Sequence, residues 1–372
     1  DIFVEYAKES DEDILIKITA FNRGPNDETL HLLPTFWFRN TWSWMDGSTK
    51  PIITTISDDQ YSAVHARHTD PDLAHKLSEY NIYFDSQVPL IFTENESNNA
   101  RLFNSPNTSP YVKDAFHDYV IHGKSDAVNP EGCGTKMAAH YQLDIAAGEC
   151  KSIRIRFSTG KHKEPMKAFD EILALRLAEA DEFYEGLAPR RLRQDPERLA
   201  IVRAALSGML WGKQFFHYDV DQWLREHGAA PFCGPRELQM RNSEWFHMFN
   251  EDIISMPDKW EYPWYAAWDL AFHIMPLNMI DPDFAKSQLE MMLKSSYLHP
   301  NGQIPAYEWN FGDVNPPVHA FATYHAYLYD REQHDGIGDR DFLKYAFSKL
   351  LVNFTWWVNR KDPRGHNVFE GG

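Results

Sequence analysis

The hydrophobic periodicity of the chain changes at about Gly160, and this change divides it into two parts of different fold class. Before Gly160 the apolar residues come in short runs that Gly, Pro, Asn and Asp separate. Such runs predict β-strands, here at residues 2–7, 14–21, 30–38, 63–65, 82–84, 90–92, 141–145 and 152–158. Many short strands with turn residues between them are typical of a β-sandwich. We therefore predict a β-sandwich domain at residues 1–160.

The last two predicted strands are separated by the short segment Ala-Ala-Gly-Glu at residues 146–149. From Ser152 to Ser158 polar and apolar side chains alternate, as they do in a half-buried strand. Because so few residues join the two strands, we expect them to form a β-hairpin.

After Gly160 the apolar residues recur at the spacing of a helix face. This pattern predicts helices at residues 164–184, 195–216, 265–280, 282–297, 317–330 and 339–360. Two of them begin with Asp followed by Pro, an N-cap residue and a first-turn proline. We predict a helical linker at residues 161–194 and the N-terminal portion of an (α/α)6 barrel at residues 195–372. At ~1.5 Å per residue, these residues supply roughly half of the twelve helices of such a barrel.

Both ends of the chain look cut. It begins without Met inside a predicted strand, and it ends directly after a helical region. We therefore expect an internal fragment of a longer protein. The absence of a targeting segment then says nothing about that protein.

Residues 257–272 set one carboxyl group, that of Asp269, among large aromatic rings. These rings belong to Trp260, Trp264, Tyr265 and Trp268. Apolar walls raise the pKa of a carboxyl group, and a carboxylic acid that stays protonated near neutral pH can donate a proton to a leaving group. Flat rings also bind the faces of sugar rings. This stretch favours a carbohydrate-cleaving enzyme with Asp269 as general acid; the alternative is that Asp269 caps the following helix.

The charge balance excludes some partners. There are 37 basic and 54 acidic residues, a formal net charge of −17. Such a surface repels nucleic acid and anionic membranes, so we expect neither as a partner. A neutral oligosaccharide or small glycoside suits this charge better.

The cysteines favour a reducing compartment. Cys133, Cys150 and Cys233 are odd in number and match no zinc spacing. We expect free thiols and therefore a cytoplasmic location. We expect no cofactor and no catalytic metal; a structural calcium ion would be compatible, but no residue pattern shows a site for it.

Two long motifs, at residues 252–269 and 302–319, resemble glycoside hydrolase family 63. Shorter likenesses occur at residues 33–44 and 213–216. The family includes mannosyl-oligosaccharide glucosidases, bacterial α-glucosidases, and mannosylglycerate and glucosylglycerate hydrolases. The resemblance implies a β-sandwich, a helical linker and an (α/α)6 barrel, and it implies hydrolysis of α-glycosidic bonds with inversion.

The resemblance also assigns roles. The general acid of the family is the Asp of an Ala-Trp-Asp motif, which corresponds to Asp269. Its general base is a Glu later in the barrel; no residue before Gly372 matches it, so we expect the base beyond Gly372. Inversion needs both carboxyl groups, roughly 6.5–9.5 Å apart. We therefore expect the fragment alone to be inactive.

The candidate sugar-binding residues fall in three groups. Aromatic rings of the two motifs can line the subsite, with barrel core as the alternative: Trp264, Trp268 and Trp309. Polar residues on the predicted loop can bind sugar hydroxyls, with turn formation as the alternative: Tyr307, Asn310, Asp313 and Asn315. Further candidates precede the first motif: Arg241 and Trp245.

Several residues carry competing interpretations. Glu261 and Glu308 are alternative second carboxylates, although we expect them to orient loops. His273 is expected to be a core histidine, because a lone His beside apolar residues is usually one. His247, His319 and His325 do not have the spacing of a zinc site.

The function that these residues predict is an inverting, exo-acting α-glycosidase, most closely an α-glucosidase acting on an oligosaccharide or small glucoside. Mannosylglycerate or glucosylglycerate hydrolase specificity is an alternative within the same family. A non-catalytic carbohydrate-binding or scaffold protein is the alternative from a different class. A phosphorolytic enzyme would need a basic phosphate pocket, and no Arg or Lys cluster accompanies the motifs.

Overall fold

The computed structural model describes residues 1–44, 47–70, 79–229, 240–307, 310–311, 313–362, 364–366 and 369. The chain divides into two compact units, Asp1–Asp181 and Glu182–Gly372. The division falls within the segment that the sequence predicts to be a helical linker. In the described ranges, no helix is long and apolar enough to cross a membrane.

The first unit consists mainly of antiparallel strands. In its described residues these are β1 (Ile2–Ser10), β2 (Asp13–Phe21), β3 (Glu28–Leu32), β4 (Thr35–Trp37), β5 (Ile52–Ile56), β6 (Ala63–Arg67), β7 (Tyr80–Phe84), β8 (Leu90–Thr93), β9 (Cys133–Gly134), β10 (Lys136–Ala139), β11 (Tyr141–Ile145) and β12 (Cys150–Ser158). Short helices lie between β8 and β9: α1 (Asn99–Phe103), α2 (Ala115–His122) and the 3-10 turn Ser125–Ala127.

The strands form one large sheet and two small ones. The order in the seven-stranded sheet is β1-β2-β12-β7-β6-β5-β9, and the small sheets are β4-β10-β8 and β11-β3. Apolar side chains from the large and the small sheets meet in one core, which includes Ile53, Ile82, Phe84, Phe92, Met137 and Ile155. This packing of sheets through a shared apolar core is compatible with the predicted β-sandwich.

The predicted β-hairpin around residues 146–149 is wrong. β11 pairs with β3, whereas β12 pairs with β2 and β7 in the large sheet. The turn therefore carries the chain from a small sheet to the large one. Alternation of side chains identifies a strand, but the partner is chosen by which apolar faces meet in the core.

A buried ion pair ties the ends of two central strands of the large sheet. Arg156 Nη2 lies 2.6 Å from Asp13 Oδ2, and Arg156 Nε donates to Oδ1 over 3.0 Å. Arg156 Nη1 donates to the carbonyl of Pro165 over 3.1 Å. Both charged groups are buried, so these hydrogen bonds offset the cost of removing the charges from water.

The second unit is mainly helical. Its described elements are the end of α3 (Phe169–Leu187), the 3-10 turn Arg190–Leu192, α4 (Pro196–Trp211), β13 (Lys213–Asp219), α5 (Val220–Glu226), the 3-10 turn Ser243–Trp245, β14 (Phe249–Ser255), α6 (Ala267–Ile280), α7 (Pro282–Met291), α8 (Val318–Gln333) and α9 (Arg340–Arg360). α6 packs against α4, α7 and α8, and α9 packs against α7 and α8. The fold class is therefore mixed, with sheets followed by helices.

The helix predicted at residues 195–216 is too long at its C-terminal end. The chain leaves the helix after Trp211, and Lys213 begins β13, which pairs along its length with β14. Gly212 allows this turn because a Cβ there would lie 2.7 Å from the carbonyl oxygen of Met256. Pairing with a distant strand overrides the local helical pattern.

Candidate active site

The chain enters the candidate site through the loop between β14 and α6. Tyr265 anchors this loop because its side chain is fully buried. Its ring centroid lies 5.8 Å from those of Phe216 and Tyr297 and 6.4 Å from that of Phe311. Tyr265 is therefore a core residue, and it fixes the position at which α6 begins.

Asp269 lies inside the first turn of α6. The N-cap position is occupied by Ala266, which makes no side-chain capping hydrogen bond, and Asp269 follows as the third helical residue. Its side chain is half-buried. Asp269 therefore does not occupy the capping position that the sequence offered as the alternative to a catalytic role.

The loop of the second motif is tied directly to the start of α6. The N–H of Ala267 donates to the carbonyl of Ala306 over 2.8 Å, and Ala266 pairs with Tyr307 in an isolated β-bridge. The Asn315 amide donates to the same Ala306 carbonyl over 3.1 Å. The two motifs, which are separated in sequence, thus meet beside the first turn that carries Asp269.

A pocket opens where these segments meet. Trp268, Asp313 and Asn315 line it, together with the loop residues Ile304 and Pro305. Trp268 is 40% exposed, and one oxygen of Asp313 accepts from the N–H of Val314 over 2.9 Å. Asp269 adjoins Trp268 in the chain, but it is not itself among the residues that line the pocket.

Helix α9 supplies the part of the pocket wall that the sequence did not indicate. Asn353, Trp356 and Trp357 line it and are largely buried. Asn353 also donates to the carbonyl of Gly302 over 2.8 Å, so this side chain joins α9 to the loop of the second motif. The adjacent residues Trp356 and Trp357 on a predicted helix could have indicated this wall. A helix seldom buries two neighbouring rings on one apolar stripe, so one of them was available for a pocket.

Gly302 fixes the approach of the motif loop to α9. Its φ is +96°, and a Cβ there would lie 2.6 Å from the carbonyl oxygen of Val352. A side chain at this position would therefore strain the backbone and push the loop away from α9.

Histidine 319 forms a neutral part of the pocket wall. Its Nε2–H donates to the carbonyl of Leu289 over 3.0 Å, and Nδ1 lies 3.3 Å from the Thr323 hydroxyl. Complete burial lowers the pKa of His319 to about 4. Its imidazole is therefore uncharged near neutral pH.

The other predicted site residues that the structure describes differ in burial and do not line this pocket. Trp264 is half-buried against Tyr262, with ring centroids 5.9 Å apart. Trp245 is only 4% exposed and packs against Phe311 in the apolar core, a position that favours packing over sugar binding. Arg241 lies over the ring of Trp223, 5.4 Å from its centroid.

On the motif loop, Asn310 is exposed and its N–H donates to the carbonyl of Tyr307 over 3.2 Å. Tyr307 is half-buried beside the aromatic core. Trp309 and Glu308 lie outside the described residues. Glu261 is exposed on the loop before α6, where its N–H donates to Asp258 over 2.7 Å, and Trp260 is 93% exposed.

Metal-ligating side chains do not gather at this site. Across the ranges that the structure describes, no three His, Cys, Asp or Glu residues are grouped so that they could hold a metal ion. Cys133 and Cys150 are free thiols in the first unit, and Cys233 lies outside the described residues.

Comparison with known proteins points to the same part of the chain. Residues 262–371 match the family of the mannosylglycerate hydrolase MGH1-like glycoside hydrolase domain. This part of the chain is similar to a glycoside hydrolase. The matched residues contain α6 with Asp269, the motif loop and the pocket wall on α9, so the similarity supports a glycosidase with a carbohydrate substrate.

The whole chain also aligns with a yeast protein. It is 42% identical over 405 residues to Uncharacterized protein YMR196W of Saccharomyces cerevisiae. The alignment covers 100% of this chain and 37% of the yeast protein. The chain thus spans little more than a third of the length of this curated relative.

Proposed function

We propose that the protein is an inverting, exo-acting α-glycosidase in which Asp269 is the general acid. The observation that supports this most is the position of Asp269. It is a half-buried carboxyl group in the first turn of α6, inside the segment that matches a glycoside hydrolase domain and beside the pocket of Trp268, Asp313 and Asn315. Protonation of the departing glycosidic oxygen by this group would remove the main barrier to loss of a poor leaving group.

The pocket is lined by groups of the kinds that bind sugars. The exposed face of Trp268 can pack against the apolar face of a sugar ring, while Asp313 and Asn315 offer paired polar groups for its hydroxyls. The proposed substrate is an α-linked glucoside, either an oligosaccharide or a small glucoside.

The name of the matched family favours a second specificity at the same site. Mannosylglycerate or glucosylglycerate would place the sugar in the same pocket and an anionic glycerate as the leaving group. Asp313 would then face the sugar rather than the glycerate, because two carboxylates repel each other.

The general base is proposed to lie beyond Gly372. An inverting mechanism needs a second carboxylate that activates a water molecule on the opposite face of the sugar, roughly 6.5–9.5 Å from the acid. Glu261 is exposed on the loop before α6, away from the pocket wall. The 372-residue chain alone is therefore proposed to be inactive.

We propose further that α4 and the helices after it belong to an (α/α)6 barrel. The support is an apolar stripe on α9 in which Phe347, Leu351, Phe354 and Val358 follow helical spacing and are all exposed. Apolar stripes of this size on a helix are normally covered by another helix. Further helices of the barrel would cover this stripe.

The test is hydrolysis by the full-length protein of a panel of α-linked disaccharides and glycosylglycerates, with the anomer of the first product read by NMR. We expect release of the β-anomer from one class of substrate and a loss of at least about 10³-fold in kcat/KM for Asp269→Asn. An α-anomeric first product would contradict inversion. If the protein binds sugars but cleaves none of the substrates, the carbohydrate-binding alternative is favoured.

A further inference from the structure

A cleft in the first unit is lined by helix α2 and by strands β3, β4 and β10. Its volume is about 540 Å³, which is within the range of small-molecule sites. His31 comes from β3, Thr35 from β4 and Lys136 from β10, while Lys113 and Asp114 directly precede α2. The remaining lining residues are Leu33, Phe116, His117, Val120 and Ile121. The cleft therefore combines basic groups with an apolar wall.

Basic side chains outnumber acidic ones in this cleft, although the whole chain has a formal net charge of −17. The basic lining residues are His31, Lys113, His117 and Lys136. Asp114 is the one carboxylate among the described residues that line the cleft. It accepts from Nη1 of Arg101 over 3.2 Å and from the side-chain amide of Asn98 over 3.2 Å, so its charge is already partly balanced.

Lys136 is a half-buried cation whose hydrogen-bonding capacity is only partly used. Its Nζ donates to the backbone carbonyl of Lys113 over 2.6 Å and lies 4.8 Å from the ring centroid of Phe116. Within the described part of the chain, neither lysine has a carboxylate at ion-pair distance; Asp114 pairs with Arg101 instead. Burial, and next the like charge of Lys113, lower the pKa of Lys136, and Asp114 opposes this change. A bound anion would relieve the repulsion between the two lysines.

His31 is held in place by a second histidine. Its Nδ1 lies 2.7 Å from Nε2 of His140, and the two rings stack with their centroids 5.0 Å apart. Tyr119 of α2 packs edge-on against His140, with ring centroids 5.8 Å apart. Because the contact with His140 occupies Nδ1 of His31, its Nε2 is the ring nitrogen that a ligand can use.

We propose that this cleft binds a small phosphate monoester. The ammonium groups of Lys113 and Lys136 would bind the phosphate oxygens, with His31 beside them. The apolar side chains of Val120 and Ile121 would contact the organic part of the ester. A phosphate monoester carries close to two negative charges near neutral pH, whereas a carboxylate carries one, so the phosphate matches two lysines better.

This site is independent of the proposed glycosidase activity. Its lining residues all belong to the first unit, whereas the pocket beside Asp269 belongs to the second. Binding of the ester can be measured without a turnover assay, and its outcome leaves the general-acid assignment unaffected.

The test is isothermal titration of the full-length protein with phenyl phosphate near neutral pH. We expect one-to-one binding with a Kd below about 1 mM. Inorganic phosphate lacks the organic part and benzoate carries a single charge, so each should bind at least about fivefold more weakly. Absence of saturable binding of phenyl phosphate would overturn the inference. Equal affinity for benzoate would contradict the preference for phosphate, and equal affinity for inorganic phosphate would contradict the contact with the organic part.

Three variants locate the binding. Lys136→Met removes the half-buried charge and keeps an unbranched side chain, and we expect it to weaken phenyl phosphate binding by about tenfold or more, because a charge-assisted hydrogen bond is lost. Lys113→Met should weaken binding by about threefold or more. The matched control is Lys124→Met, which removes an exposed lysine that pairs with Asp118 outside the cleft and should leave the Kd unchanged.

Equal losses for the Lys124 and Lys136 variants would show that overall charge alone attracts the anion, and this would contradict a site in the cleft. Circular dichroism establishes whether each variant is folded. If Lys136→Met does not fold, Lys113→Met decides, because the Lys113 side chain is exposed and its contact with Lys136 is made by its backbone carbonyl. Wild-type affinity in folded Lys113→Met would then overturn the inference.

Discussion

Each of the two units contains an aromatic-lined concavity, and the two differ in their polar groups. The groove in the first unit is lined by Phe36, Trp37, Tyr80 and Phe157, among other mainly apolar residues, and none of the described residues that line it has a carboxyl or carboxamide group. The pocket in the second unit combines Trp268 with Asp313, Asn315 and Asn353. Aromatic rings can serve either packing or recognition, so the proposed sugar site depends on the polar groups beside them.

The charged groups show a similar contrast. In the first unit, both oxygens of the Asp13 carboxylate are paired with the guanidinium of Arg156. In the second unit, Asp269 is half-buried in the first turn of α6. A carboxylate paired with a buried guanidinium stabilises the fold, whereas the proposed role of Asp269 requires a carboxyl group that can carry a proton.

The largest effect on stability is expected at the buried pair of the first unit. Asp13→Asn leaves Arg156 buried without a counter-charge, and we expect it to lower the free energy of unfolding by about 3–5 kcal/mol. Urea denaturation followed by circular dichroism measures this loss. The matched control is Asp170→Asn, which breaks the exposed pair with Arg154 on the same strand and should cost less than about 1 kcal/mol. Equal losses in the two variants would contradict the buried role of Asp13.

A pH effect of similar size is expected in the second unit. The pKa of His319 is about 4 in the folded state and 6.5 in its ordinary environment. Between these pH values the unfolded chain binds a proton that the folded chain excludes, so stability decreases as pH falls from 6.5 to 4. At about 1.4 kcal/mol per pH unit, the loss is about 3 kcal/mol.

The measurement is urea denaturation at several pH values, followed by tryptophan fluorescence, for the wild type and for His319→Gln. The difference in stability between the two proteins should shrink as pH falls from 6.5 to 4. A difference that is independent of pH would show that His319 is not held neutral.

The apolar stripe on α9 offers a test of the proposed barrel. If further helices cover it in the full-length protein, Leu351→Ala should lower the free energy of unfolding by about 2 kcal/mol or more. Ile121→Ala, at an exposed position of α2 in the first unit, should change it by less than about 0.5 kcal/mol. Thermal or urea denaturation measures both variants. If Leu351→Ala and Ile121→Ala lower the free energy of unfolding by equally small amounts, no helix covers the stripe.

The smallest effect is expected for the exposed ring of the pocket. Trp268→Ala should weaken sugar binding by about fivefold, because one aromatic contact contributes on the order of 1 kcal/mol. Isothermal titration with the preferred sugar measures it. Trp37→Ala removes an exposed ring from the groove of the first unit and should leave the affinity unchanged. A comparable loss at Trp37 would remove the distinction between the two concavities.

The sequence predicted individual strands and helices better than it predicted which strands pair with each other. Strand Tyr141–Ile145 and helix Ala267–Ile280 follow their periodicities closely, because side-chain alternation and helical spacing are local properties. The pairing of β11 with β3 and the switch from helix to strand at Lys213 depend on distant apolar faces. Those faces are not visible in any short window of sequence.

The same limit applies to the candidate site. The two motifs identified Trp268, Asp313 and Asn315, which the structure brings to one pocket. They did not identify Trp356, Trp357 or Asn353, because α9 reaches the pocket only through the packing of helices. Trp245 lies in the core instead, since composition alone does not tell a buried ring from a ring at a binding surface.

The most direct test of the central claim is to measure how the loss of kcat/KM in Asp269→Asn depends on the leaving group of the substrate. A general acid is needed most when the leaving group is a poor one. For the full-length protein we predict a loss of at least about 10³-fold with a natural disaccharide or glycosylglycerate and a loss of less than about tenfold with a dinitrophenyl α-glycoside, whose phenolate leaves without protonation. Equal losses on both substrates, or no loss on either, would contradict the assignment of Asp269 as the general acid.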